Sequence, residues 1–311
     1  MSKVKTLQQL IADVRLRAGA NSDNSSGTGM KDDDIALLIN DEMDELVTFV
    51  QQSQQDYLTV ISKLTPIANV SVYRIETRAL YQQIKEVYYI DNSNNTRTRL
   101  SYIDNSVLPA SLDPCQVPLF YLIRGSDIVF YPNLSTVSGY YEIWWSFKPN
   151  TLVKSTECRQ VSNVNTTTKT ITFSSSLPAG WTTNNKFDVH SKYSGAEIKQ
   201  WNLSAATVAG SQIVFTDDID TTVVGRKTIE IGDWVCLEEE AALPCLPVEL
   251  HNVLVQAAVV RLAESRGDLE AQQAHESKLD RMLQVVKAGI SHRTDDEKVV
   301  VNNNSIWNWV N

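Results

Sequence analysis

The sequence contains no long hydrophobic run. No apolar stretch approaches the roughly 20 residues that a membrane-spanning helix requires, so we expect no membrane span. Residues 1–7 lead directly into a helical pattern, without the apolar block and small-residue cleavage site of a secretory signal. The sequence therefore predicts a protein that is made in a cytoplasm and is not held in a membrane.

Cysteine is scarce and widely spaced. The four cysteines, Cys115, Cys158, Cys236 and Cys245, form no Cys-x-x-Cys pair, and no histidine lies at zinc-finger spacing from them. We interpret them as free, buried thiols. The sequence predicts neither a metal site nor a cofactor.

Clusters of basic residues are also missing. The formal net charge is −9 at pH 7 and the sequence pI is near 5.0. Proteins that wrap DNA through its phosphates usually present a basic face, so the composition argues against that class. It is compatible with a channel through which DNA passes, because a repulsive wall prevents sticking.

No recognisable catalytic motif is present. The sequence contains no GxSxG, HExxH, P-loop or GxGxxG pattern. Its four histidines, His190, His251, His275 and His292, are interpreted as solvated or hydrogen-bonded. A pair of carboxylates of the glycosidase type stays open, but the acidic run 238–240 is more simply a solvated turn. We predict that the protein is not an enzyme.

Amphipathic helices are predicted near the N-terminus. Gly19 is expected to end the first helix. Asp32, Asp33 and Asp34 favour the start of the second, because adjacent helical residues point about 100° apart and do not converge on one metal ion. The apolar stripes of the two helices are Leu7, Leu10, Ile11, Val14 and Ala18, and then Ile35, Leu38, Ile39, Met43, Leu46 and Val50.

Two further helices are predicted near the C-terminus. Pro247 suits a first helical turn, while Gly267 and Asp268 end one helix and begin the next. Their apolar stripes are Leu250, Val253, Leu254, Ala257, Ala258 and Leu262, and then Leu279, Met282, Leu283, Val286 and Ile290.

The intervening sequence has a β pattern. Residues 124–127 are predicted to form a hairpin turn. Trp144 and Trp145 are neighbours on one strand, so their indoles point to opposite faces of a sheet. One indole can lie in the core, and the other must be shielded from water by another part of this chain or by a neighbouring subunit. Trp144 and Trp145 are therefore both candidate intersubunit residues. The predicted strands are 57–61, 71–75, 84–90, 119–123, 127–131 and 140–147.

A second β block, 151–245, contains a weak internal repeat. Three strand-like segments between residues 161 and 189 parallel three others between residues 201 and 235. A duplicated three-strand unit of this size is expected to close into a small barrel, which removes the exposed edges of a sheet.

The predicted fold class is α+β. Helices at both ends most simply pack together, which predicts a discontinuous α-helical bundle domain of residues 1–55 and 246–293. A central antiparallel β-rich region, 56–150, and an inserted β-barrel, 151–245, are expected between them. Residues 294–311 are predicted to form an extended C-terminal tail.

The tail is polar until its last residues. Ile306, Trp307, Trp309 and Val310 are costly to leave in water, and tryptophan is an enriched interface anchor. We predict that these four residues bind another chain, the alternative being that the tail folds back on its own domain.

Three parts of the chain carry a family resemblance. They are the helix ending at residues 15–19 with the segment 35–46, the segments 127–132 and 140–149, and the segment 246–251 leading through 257–258 and 266–268 to a helix ending near residue 293. Together they resemble the head-to-tail connector, or adaptor, proteins of tailed bacteriophages, especially the short-tailed, podovirus-like type. The block 151–245 is the least similar part.

The resemblance implies a virion structural protein at the portal–tail junction, assembled in the host cytoplasm. Such a protein forms a ring, usually a dodecamer, that docks on the portal protein and extends the DNA channel used in ejection. Its expected partners are the portal, copies of itself, and a tail or second ring protein. Double-stranded DNA would pass through without sequence-specific binding.

Two alternatives stay open at this stage. The first is another virion ring, a tail-tube component or a capsid-associated protein. The second is a peptidoglycan hydrolase or carbohydrate-binding module that uses the barrel, in which case binding would depend on Trp181, Trp201 or Trp234.

Overall fold

Helices form near both ends of the chain, where the apolar periodicity predicts them. The computed structural model describes residues 4–19, 31–54, 56–94, 96–104, 117–221 and 224–290. The α-helices within these ranges are α1 (Leu7–Arg17), α2 (Asp32–Ser53), α3 (His251–Ser265) and α4 (Leu269–Ile290). None of these helices is both long and apolar enough to cross a membrane.

The helix termini follow the local signals. Gly19 follows α1 with a φ of +62°, a left-handed conformation that glycine adopts without strain. At the start of α2, the Asp34 carboxylate accepts the backbone N–H of Lys31 at 3.2 Å. Asp32 and Asp33 instead make ion pairs, and the described residues contain no cluster of His, Cys, Asp and Glu able to hold a metal ion.

Helix α3 is the central helix. It contacts α1, α2 and α4, and residues all around it are buried. The predicted stripes of α1, α2 and α3 are buried except for the half-buried Ala18 and Leu38. The stripe of α4 is only half-buried at Leu279, Met282, Leu283 and Val286.

A separate helical bundle is not confirmed. Buried side chains of the helices belong to the same continuous core as buried side chains of the β-sheets. The helices therefore pack against the sheets as well as against one another, because each apolar stripe is wider than one helix–helix contact can cover.

Two four-stranded sheets form the middle of the chain. The first has the order β1-β8-β3-β4 and the second β2-β7-β6-β5. All pairs are antiparallel except β5 with β6. The strands are β1 (Thr59–Leu64), β2 (Val72–Arg74), β3 (Ala79–Asp91), β4 (Thr96–Arg99), β5 (Ser101–Tyr102), β6 (Phe120–Arg124), β7 (Asp127–Tyr131) and β8 (Gly139–Phe147).

Each of the six strands predicted in this region is present. The hairpin between β6 and β7 pairs Arg124 with Asp127 across Gly125, whose φ is +61°. Strands β4 and β5 were not predicted. Strand β4 is Thr-Arg-Thr-Arg, which has no apolar alternation, and β5 has only two residues.

The prediction of a closed barrel is confirmed. Six strands close in the order β10-β11-β14-β13-β12-β15 around a core that includes Phe173, Phe187 and Phe215. The strands are β10 (Arg159–Asn165), β11 (Thr170–Phe173), β12 (Lys186–Ser191), β13 (Ser194–Ala209), β14 (Gln212–Phe215) and β15 (Trp234–Leu237).

The internal repeat is visible in the strand order. If β10, β11 and β12 are exchanged for β13, β14 and β15, every neighbouring pair in the barrel is preserved. The β10–β11 and β13–β14 pairs also carry a register shift at the corresponding place, near Val161 in the first pair and near Ala205 in the second. The topology is therefore that of two three-strand units related by a two-fold exchange.

The barrel joins the rest of the protein through a narrow stem. Strand β9 (Thr151–Leu152) leads into the barrel and β16 (Glu240–Ala241) leads out of it, and the two pair in parallel. A disulfide between Cys158 and Cys236 closes the barrel next to this stem. The expectation of free thiols is therefore wrong for these two cysteines, because folding brings positions 78 residues apart to a Cα–Cα distance of 4.6 Å. Cys245 is a buried free thiol, and Cys115 lies outside the described residues.

Candidate interaction surfaces and a buried polar junction

Trp145 faces the protein core. Its side chain is 1% exposed, and its indole Nε1 donates a hydrogen bond to Ser62 Oγ at 3.0 Å. Phe147 and Trp201 pack around the ring, with centroid distances of 5.4 and 6.2 Å. Because Trp201 belongs to the barrel, cover for Trp145 comes from within the chain and leaves no surface of this indole for a neighbouring subunit.

Trp144 lies on the opposite, outer face of the first sheet and is half-buried. Its indole Nε1 donates to Glu142 Oε1 at 2.6 Å, and its ring lies 6.4 Å from that of Tyr88. The Arg97 guanidinium lies 3.8 Å from the centre of the Tyr88 ring and 5.7 Å from that of Trp144. These contacts cover part of the indole and leave the rest on a surface that another chain can reach.

A polar cleft of about 590 Å³ opens beside Trp144. Lys85 lies in it, with Nζ 2.5 Å from Thr59 Oγ1 and 4.0 Å from an Asp56 carboxylate oxygen. Burial lowers the pKa of Lys85, and Asp56 opposes that shift. The cleft is lined by Gln51, Asp56, Gln83, Ile84, Lys85, Glu86, Trp144 and Ser146. It presents both charge signs and two side-chain amides, a composition suited to a polar ligand or peptide more than to an apolar one.

A group of buried charged and polar residues lies where the barrel meets the sheets. Arg78, just before β3, is 1% exposed and pairs with the fully buried Asp188 of β12 at 2.9 Å. The same guanidinium donates to the side-chain oxygens of Asn150 and Asn202 and lies over the ring of Phe147. We call this group the polar junction: Arg78, Asn150, Asp188, His190 and Asn202.

His190 belongs to the junction and is fully buried. Burial lowers the pKa of this imidazole, so it is neutral at pH 7. Its Nδ1 lies 3.2 Å from the Gly195 carbonyl oxygen, and its Nε2 lies 3.1 Å from the Glu240 carbonyl oxygen and 3.0 Å from Asn150 Nδ2. A neutral ring carries one N–H and therefore donates to one of the two carbonyls. The hydrogen bonds of the junction connect the barrel, the stem and the sheets.

Two further histidines lie on the C-terminal helices. His251 is buried at the start of α3, where Nδ1 lies 3.3 Å from the backbone N–H of Lys5, and burial lowers its pKa. His275 of α4 lies 3.3 Å from the side-chain amide of Gln256. His292 lies outside the described residues.

The barrel tryptophans do not form an exposed binding platform. Trp181 is 6% exposed and packs against Phe173 and Phe187 inside the barrel. Trp201 packs edge-on against Trp145, and Trp234 is half-buried beside the disulfide. Burial therefore removes Trp181 as a surface for glycan stacking, while Trp201 and Trp234 are half-buried.

Sequence reasoning did not find the polar junction. The available signal was weak: Asp188 is a single charged residue between the apolar Phe187 and Val189 of a predicted strand. Nothing local connects it to Arg78, which lies 110 residues earlier. The predicted anchors Ile306, Trp307, Trp309 and Val310 lie outside the described residues, so their role stays a prediction.

Comparison with known proteins adds no family assignment. No family model matches the chain, and no curated protein matches it.

Proposed function

We propose that this protein is a structural component of a phage virion that forms a head-to-tail connector ring. One observation supports this most: helices from both ends of the chain meet around α3, while the residues between them form sheets and a barrel on a narrow stem. Terminal helices that pack together belong to the layout on which the resemblance to connector proteins rests.

In this proposal the four helices act as one bundle-like layer that joins neighbouring subunits. A ring requires one surface of a subunit to fit a different surface of the next, so that rotation closes the assembly. The half-buried stripe of α4 and the exposed Leu37 of α2, 63% exposed, are surfaces of the kind that such contacts cover. The C-terminal tail and the exposed part of Trp144 would serve contacts with the portal or with a second ring.

The described residues offer little support for catalysis. The most buried histidine, His190, is closed off from solvent, and the cleft beside Trp144 brings Lys85 next to a threonine and a carboxylate without a neighbouring histidine or cysteine. Thr59 and Lys85 have the composition of a hydroxyl nucleophile and its base, but the proposal gives them no catalytic role.

Native mass spectrometry of the purified chain, alone and mixed with a candidate portal ring, tests the proposal. We expect copies of the chain to add to the portal in a fixed stoichiometry, and no addition to the portal ring of an unrelated phage. If the chain binds no portal ring but does bind a tail or capsid protein, the protein belongs at another position in the virion. A chain that binds no virion component would overturn the proposal.

A further inference from the structure

The central helix α3 separates two outer helices. On one side, Arg261 of α3 makes ion pairs with Glu42 and Glu45 of α2, at 2.6 and 3.0 Å. On another side, Gln256 of α3 bonds to His275 of α4. Arg261 and Gln256 are five positions apart, which places them about 140° apart around the axis of α3 at 3.6 residues per turn. Helices α2 and α4 therefore lie on different flanks of the subunit.

The outward face of α2 is acidic around one exposed leucine. Leu37 is 63% exposed, and the exposed Asp41 and Asp44 follow it at helical spacing on the same face. Among the residues that the structure describes, neither aspartate makes a close ion pair; burial raises the pKa of Asp44, and the charge of Lys148 opposes that rise. We call Leu37, Asp41 and Asp44 the acidic face of α2.

One flank of α4 has the opposite character. Lys278, Arg281 and Val285 follow one another at spacings of three and four residues, so they share one side of the helix. All three are exposed, Val285 to 73%, and within the described ranges neither cation has an ion-pair partner. We call these three residues the basic flank of α4.

The two surfaces match in charge, apolar content and length. Each combines two unpaired charges with one exposed aliphatic side chain, and each helix has 22 residues, or about 33 Å at 1.5 Å per residue. One subunit cannot bring them together, because α3 lies between them. Two copies can do so, and every copy then keeps one acidic face and one basic flank free for the next neighbour.

We propose that the acidic face of α2 in one copy binds the basic flank of α4 in the next copy. The inference rests on the proposed function in so far as it describes how the ring closes. The contact is heterologous, so it propagates around a ring and does not stop at a two-fold dimer. Opposite charges across the contact select its register and orientation.

Charge reversal tests the contact. Asp41→Lys/Asp44→Lys makes both surfaces of each copy basic, and Lys278→Glu/Arg281→Glu makes both acidic. We expect each variant to weaken self-association by roughly tenfold or more, since like charges across an interface are strongly disfavoured. The variant that carries all four changes exchanges the two charges and should associate again. Sedimentation velocity over a concentration series at low salt measures the effect.

Mixing the two single-surface variants gives a sharper result. Each repels itself, but the basic surface of one meets the acidic surface of the other, so the mixture should form alternating assemblies with equal numbers of both. Lys186→Glu/Lys287→Glu is the matched control: it changes net charge by the same amount as Lys278→Glu/Arg281→Glu, and both lysines are exposed away from the basic flank. Circular dichroism of every variant establishes that it is folded.

The outcomes separate this contact from the function. A wild-type chain that stays monomeric at every concentration overturns the contact, as does association that is unchanged by both reversals. In either case the portal experiment still decides the connector proposal. The charge reversals, the variant with all four changes and the mixture can all behave as expected while the assembly does not bind portal rings. In that case the contact is supported and the connector function is overturned.

Discussion

Arg78 and Asp188 form an ion pair that is almost completely withdrawn from water. The Nη1–Oδ2 distance is 2.9 Å, and the two side chains are 1% and 0% exposed. Asp188 belongs to the barrel, while Arg78 precedes the long strand of the first sheet. The ion pair therefore joins two parts of the protein that are connected along the chain through the stem.

Replacing Arg78 should destabilise the whole protein. Arg78→Met leaves the Asp188 carboxylate buried without its cation, and breaking one side of a buried pair typically costs about 3–5 kcal/mol. Arg99→Met is the comparison, because Arg99 pairs with Glu86 at the surface, where such pairs contribute about 0–1 kcal/mol. Urea unfolding measures both. Equal, small losses for the two variants would show that the buried pair contributes no more than the exposed one.

Leu254 tests the position of α3 in the core. Its side chain is fully buried on the central helix, so Leu254→Asp places a charge where no partner or water is available. We expect loss of cooperative unfolding and of helical circular dichroism. Leu16→Asp makes the same change at a site that is 80% exposed and should leave the melting curve almost unchanged. A cooperatively folded Leu254→Asp protein would contradict the packing described for α3.

The disulfide should stabilise the barrel. A cross-link between Cys158 and Cys236, 78 residues apart, removes disorder from the unfolded chain and is expected to contribute about 4 kcal/mol in the loop-entropy model. Reduction should therefore lower the melting temperature of the wild-type protein. The Cys158→Ala/Cys236→Ala variant should have the same melting temperature as the wild-type protein in reductant, whether or not reductant is added. A melting temperature that reductant lowers equally in that variant would assign the effect to other groups.

Stability should fall as the pH drops below neutrality. Burial lowers the pKa values of His190 and His251 in the folded state below their ordinary value of 6.5. The unfolded chain then binds more protons, so the contribution of these residues is complete above pH 6.5 and is lost as the pH falls from that value through the lower pKa values of the folded state.

The histidine variants isolate this effect. As the pH falls below 6.5, His190→Gln should reduce the slope of unfolding free energy against pH, by at most about 1.4 kcal/mol per pH unit, the value for a difference of one bound proton. His251→Gln should give a similar reduction, and the double variant should lose both. His275→Gln, at a half-buried site, is the control. Identical slopes for all variants would mean that neither buried histidine is neutral in the folded protein.

The C-terminal tail should act in docking and not in folding. Deletion of residues 295–311 removes the anchors Trp307 and Trp309 but none of the residues that form the described core. We expect an unchanged melting temperature and weaker addition to the portal ring in native mass spectrometry. Trp307→Ala/Trp309→Ala should reproduce most of the loss. Undiminished addition by the truncated chain would show that the tail is not an anchor.

Local periodicity determined the secondary structure to a large extent. The stripes of α1, α2 and α3 and the six strands predicted before residue 150 follow from apolar spacing, which is a property of neighbouring residues. The barrel was predictable from a weak repeat, because two copies of a three-strand unit leave exposed edges that only closure removes. Strand β4 could not be predicted in this way, because its sequence has no apolar alternation.

The tertiary structure alone decided which distant residues meet. The pairs Arg78–Asp188 and Cys158–Cys236 join positions 110 and 78 residues apart, and no periodic pattern links them. Adjacency in the sequence likewise showed that Trp144 and Trp145 face opposite sides, but only the folded chain placed Trp201 over one of them. Periodicity reports which face of an element is apolar; the partner of that face depends on how all the elements pack together.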